Sequence, residues 1–140
     1  MTLQVHTSRI NYGGPDRLDV TMKTSREAVK KGKRSPGAPF APTQRLVYWG
    51  KNMLRIAEKK RLNGDRAADA FEDWAWQTYG QRYHMQMKLS YAKLREAWDE
   101  LLARDRVVLV CFCVDPARCH RRLLAEYLEK CGALDRGELP

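Results

Sequence analysis

The sequence has 140 residues, 44% hydrophobic and 31% charged, with 26 Lys and Arg against 17 Asp and Glu for a net charge of +9. These proportions suit one soluble domain over residues 1–140, and they exclude wholesale disorder, collagen and a disulfide-stapled mini-protein. No apolar run approaches the roughly 18 residues of a membrane span and no secretory signal opens the chain, so a cytoplasmic protein with no membrane role is expected; the surplus cations favour a polyanionic partner.

Residues 3–8 alternate apolar and polar side chains, which predicts a strand ending near Ser8 and Arg9. Tyr12, Gly13, Gly14, Pro15 and Asp16 form a turn signal. Residues 18–21 read as a short strand or extended loop. From about 22 to 42, Gly32, Pro36, Gly37, Pro39 and Pro42 predict a long irregular loop or arm. It is strongly basic: Lys23, Arg26, Lys30, Lys31, Lys33 and Arg34 are opposed only by Glu27, the pattern of a solvated segment that can order against phosphates.

Thr43 is placed to cap a helix with an apolar face at Leu46, Val47, Met53, Leu54 and Ala57, ended by Asn63 and Gly64. Asp65 is expected to cap a second helix, ended or interrupted by Gly80. A third, starting near Ser90, has the clearest period, at Leu94, Ala97, Trp98 and Leu101. Residues 106–112 are continuously apolar and β-branched at their centre, as in a buried strand. Asp115 as N-cap and Pro116 at the first helical position open the last helix, and Gly132 closes it. This order predicts an α/β fold: a single layered domain with a small, mainly parallel sheet flanked by helices.

The chemistry concentrates between Cys111 and Arg122. Parallel sheets place ligands beyond the carboxyl ends of their strands, and a helix N-terminus presents unpaired amides that favour anions. Arg118, Arg121 and Arg122 crowd that first turn, where each cation opposes the helix dipole by about 0.3–1 kcal/mol. A bound phosphate or carboxylate would relieve the conflict, with Arg9 reaching in from the first strand. The competing reading points these arginines at solvent or at nearby acids.

Cys111 and Cys113 face one side of a strand. Positive potential at the helix start lowers a thiol pKa, so Cys113 or Cys119 is a candidate nucleophile, His120 a candidate acid or base, and Asp115 a helix cap that orients His120 or an arginine. Ser8 and Tyr12 are candidate substrate contacts. Cys113 and Arg118 lack the spacing of the protein phosphatase loop, which excludes that assignment. Zinc is the rival for the Cys111, Cys113, Cys119 and His120 set. Cys119 and His120 are adjacent, and on a helix neighbours diverge by roughly 100°, so no metal or other cofactor is expected. Cys131 reads as packing.

The segment Cys111-x-Cys113-x-Asp115-Pro116-x-x-Cys119-His120-Arg121-Arg122-x-Leu124-Ala125 resembles domain-of-unknown-function family 488, a group of bacterial, archaeal and phage proteins. Thr7-Ser8-Arg9-Ile10-x-Tyr12 looks like its strand-end Ser-Arg element, and Phe40-Ala41-Pro42 and the Tyr83, Met87, Ser90 run look like its middle section. The resemblance implies one complete domain with an enzyme-like cleft; Cys113 stands near where many members carry an acidic residue. The expectation is a small enzyme binding a phosphorylated small molecule or nucleic acid. The alternative is a non-enzymatic nucleic-acid-binding or metal-stabilised module.

Overall fold

The computed structural model describes residues 2–113 and 118–140. Asp115 and Pro116, expected to open the last helix, lie outside the described residues. Among the described residues, four strands form a parallel sheet, β1 (Gln4–Arg9), β2 (Arg17–Asp19), β3 (Arg106–Cys111) and β4 (Leu134–Glu138), in the spatial order β2-β3-β1-β4. Five helices accompany it: α1 (Met22–Lys30), α2 (Gln44–Leu62), α3 (Ala68–Lys93), α4 (Arg95–Leu102) and α5 (His120–Lys130). The α/β class and the parallel sheet expected from the sequence are present.

The two central strands carry the clearest sequence patterns. Residues 107–111 of β3 are all buried, the burial expected of a strand covered on both faces. β1 alternates because its flanks differ: Val5 is fully buried whereas Gln4 is exposed. Their register runs from Gln4 opposite Arg106 to Arg9 opposite Cys111, so the end of β1 lies beside the end of β3. α5 lies against β1, β3, β4 and α3. Leu124, Ala125 and Leu128 from α5 join Val5, Val107 and Leu109 from the sheet, Tyr83 and Met87 from α3, and Trp98 and Leu101 from α4. Each large apolar side chain in this core contributes about 1.5–3 kcal/mol relative to exposure. Edge-on packing of Phe40 against Trp98, centroids 4.8 Å apart, seats the one-turn 3-10 helix at Ala38–Phe40 on the core.

Several sequence expectations are corrected. The basic segment begins as a helix, α1, rather than an irregular loop. The Thr21 hydroxyl accepts from Thr24 N–H and donates to Asp19, a cap that starts the helix despite its dense positive charge. Gly37 then passes so close to β2 that a Cβ there would lie 1.7 Å from the Asp19 carbonyl oxygen. Asp65 caps two residues early, accepting from Ala67 N–H, and α3 starts at Ala68. α3 runs through Gly80 without a break; at that turn the helix faces Leu123 of α5, and a Cβ would sit 3.5 Å from it. The helix expected near Ser90 starts at Arg95. α5 begins at His120, with Cys119 as N-cap. β4 was not anticipated. No helix among the described residues is long and apolar enough to cross a membrane.

Candidate active site

β3 ends at Cys111, and β1 ends beside it at Ser8 and Arg9. Cys119 has extended backbone, φ −142° and ψ 148°, before α5 turns in at His120. The roughly 100° divergence of helical neighbours therefore does not apply to this pair, and both side chains turn to one place. One donor atom each from Cys111, Cys113, Cys119 and His120 lies within 4.8 Å of the others. Cys111, Cys119 and His120 are buried and Cys113 is partly exposed.

Arg121 sits behind this cluster with no solvent exposure. Its Nη1 donates to Cys111 Sγ at 3.1 Å, to Cys119 Sγ at 3.6 Å and to the Cys113 carbonyl at 2.9 Å. Its Nε and Nη2 donate to the Glu138 carboxylate at 3.1 and 2.8 Å. Glu138 also accepts from Thr7 Oγ1 at 2.6 Å. All three nitrogens of the buried guanidinium thereby donate to acceptors of the chain, as a buried charge requires.

Hydrogen bonds from Cys113 and then Cys119, with Arg121 nearby, hold the Cys111 thiol far below its usual range. The bond to Cys111 pushes Cys113 up to about 11. Burial, followed by the bond to Cys111, pushes Cys119 up. Burial lowers the His120 pKa and favours the neutral ring, whose Nε2 lies 2.9 Å from the Val20 carbonyl and donates to it.

The candidate anion ligands separate. Arg118 pairs with Glu72 at 3.2 Å and with Asp73, both on α3. Arg122 pairs with Asp135 of β4, and Arg121 with Glu138. Their crowding at the helix start is thus offset by carboxylates of the chain itself. Arg9 is exposed at the end of β1, in register with Cys111, and Ser8 is buried beside it. Tyr12 is drawn elsewhere: its hydroxyl donates to Asp16 at 2.5 Å, and Asp16 pairs with Arg106 at the far end of β3 from Cys111. Cys131 lies at the other end of α5. Of the aromatic and Met residues around Gly80, Tyr83 and Met87 are core and Met85 is exposed. A cleft of about 800 Å³ lies away from the cysteines, lined by Val29, Arg34, Phe40, Leu94 and Arg104 among others.

Sequence reasoning missed Glu138 and the Val20 carbonyl. Residues 134–138 carry no apolar alternation, with Leu134 followed by three charged residues and a glycine, so no strand signal pointed to the first; no sequence signal marks a backbone carbonyl.

The family DUF488-N3a, described as the active DUF488-N3 subclade, matches residues 39–132, about two-thirds of the chain. The chain belongs to the DUF488 family. The DUF488 match takes in α2, α3, α4, β3, the Cys-His-Arg cluster and α5. Arg9 and Glu138, which meet this DUF488 segment at the sheet end, lie outside it. No curated protein and no solved structure matches the chain.

Proposed function

We propose that this DUF488 protein is a small enzyme acting on a phosphate-bearing substrate, a nucleotide, nucleoside derivative or nucleic acid, at the Cys113, Cys119 and His120 cluster. One observation carries the reading. Three sulfurs and an imidazole converge on a buried guanidinium at the carboxyl ends of β1 and β3, where parallel sheets place their ligands. The family's description as active is in keeping with it. Cys113, the partly exposed sulfur, is the group a substrate meets. Cys119 and His120 stand behind it, and Arg121 holds the negative charge of the sulfurs. Arg118, Arg121 and Arg122 are engaged by acids of the chain, so the substrate phosphate is assigned to Arg9.

The test is conversion of a panel of single- and double-stranded oligonucleotides and mononucleotides, read by mass spectrometry. Cys113→Ser and His120→Ala should remove turnover, while Arg9→Ala should raise KM. Full turnover by Cys113→Ser sinks the assignment.

A second reading, a non-enzymatic nucleic-acid binder, is favoured by α1 and the residues after it. Lys23, Arg26, Lys30, Lys31, Lys33 and Arg34 take part in no ion pair among the described residues. Under this reading Cys113→Ser leaves every measurable property toward DNA unchanged, and binding follows salt steeply.

A further inference from the structure

The four-residue cluster is closer-knit than core packing of thiols requires. We infer that Cys111, Cys113, Cys119 and His120 form a zinc site with three sulfur donors and one nitrogen donor. Tetrahedral zinc has Zn–S bonds of about 2.3 Å and a Zn–N bond of about 2.0–2.1 Å, which puts its donors about 3.5–3.8 Å apart. The donors here lie within 4.8 Å of one another, so shifts of about 1 Å close the shell around the ion. Sulfur and imidazole donors in this number select zinc over the hard divalent ions, which take oxygen.

Two further observations point the same way. His120 Nε2 donates to the Val20 carbonyl at 2.9 Å, which fixes the proton on that nitrogen and leaves Nδ1 with the lone pair. A metal-bound histidine almost always makes such an outer bond, and the bond orients the ring before the metal arrives. The charge also closes. Zinc with three thiolates carries one net negative charge, and Arg121 places Nη1 at 3.1 and 3.6 Å from the sulfurs of Cys111 and Cys119. All four cysteines of the chain are free, so no disulfide competes for these sulfurs. On binding, the thiols of the cluster that are still protonated lose their protons to solvent, and three Zn–S bonds form. The ion joins the end of β3 to the N-cap of α5, and through the Val20 carbonyl it fixes the exit of β2.

The inference uses the residues of the proposed reaction, but zinc binding is measured without any substrate. The full chain, free of affinity tags and purified under reduction without chelator, is assayed by plasma mass spectrometry; about one zinc per chain is expected. Stripped protein titrated with cobalt should develop the visible bands of tetrahedral, thiolate-bound cobalt. Cys119→Ser should weaken zinc more than about 100-fold, beyond the loss caused by outer-shell changes. Cys113→Ser, at a partly exposed position, serves if Cys119→Ser fails to fold. Cys131→Ser, distant from the cluster, should retain full metal. Zinc below about a tenth of stoichiometric in folded, reduced protein, with no cobalt spectrum, overturns the site. So does equal zinc loss in the Cys113 and Cys131 variants. Bound zinc without turnover of any substrate supports the metal site and removes the enzymatic proposal. Turnover by protein that binds neither zinc nor cobalt overturns the metal site and keeps the enzyme.

Discussion

Two basic regions of this chain treat their charge in opposite ways. At the sheet end, Arg118, Arg121 and Arg122 meet Glu72, Asp73, Glu138 and Asp135. On α1 and the turn after it, six cations share one acid, Glu27, and enter no ion pair among the described residues. At Arg121, which has no solvent exposure, burial explains the difference. A guanidinium with no solvent access must be neutralised within the fold, whereas lysines in water need no partner and interact through their long-range field. Cation density along a sequence therefore says little about where an anion binds; the useful quantity is charge left unpaired after folding.

The strongest way to break the comparison is Arg121→Met. It strands Glu138 and takes a donor from the Cys113 carbonyl, so the loss should reach about 3 kcal/mol, at the lower edge for a buried pair because Glu138 keeps 27% side-chain exposure. Urea unfolding measures it; a loss under about 0.5 kcal/mol would put Arg121 on the same footing as the surface lysines. Next comes Gly37→Ala, which drives a methyl group into the Asp19 carbonyl. It should cost about 1–3 kcal/mol, the range for forced overpacking, and loosen the basic segment from β2. Hydrogen exchange at α1 reads that loosening.

Reversing three exposed cations, Arg26→Glu, Lys30→Glu and Arg34→Glu, sharpens the contrast from the other side. Stability should stay within about 0.5 kcal/mol. Binding to random-sequence DNA should fall at least about tenfold, and its slope against log salt should shallow by about 0.9 for each phosphate the variant no longer neutralises. Unchanged DNA affinity would dismiss the α1 surface as an electrostatic binding face.

The smallest effect is a pH dependence. Burial works to raise the Glu138 pKa, but hydrogen bonds from Arg121 and Thr7 outweigh it and hold the carboxyl below its usual range. A carboxyl lowered in the folded state adds stability that is complete above its unfolded pKa, about 4.3. That stability is lost as pH falls through the lower folded value. Glu138→Gln should flatten this acid limb in denaturant titrations below about pH 5; an acid limb as steep as the wild type's counts against the pairing.

Much of this division was legible in the residues. The apolar run in β3, the alternation in β1 and the Thr43 cap of α2 are local signals, and all three elements formed as read. α1 was hidden because its apolar positions are few and its glycine and prolines follow it closely; the decisive cap involves Thr21, Thr24 and Asp19. Gly80 misled because helix propensity ignores a neighbour such as Leu123. At the cluster, the residue types were readable but not their convergence. That depended on Cys119 being extended, and the partners of the arginines come from α3 and β4, distant in sequence.

The β4 strand has a temporal consequence. Gln4 pairs with Arg106, and Val5 with Asp135, so β1 leaves the ribosome well before either of the strands that flank it. Such distant pairing slows folding. During translation Arg121 and Arg122 emerge before Asp135 and Glu138, and the sulfur-rich corner is completed when that later edge strand docks.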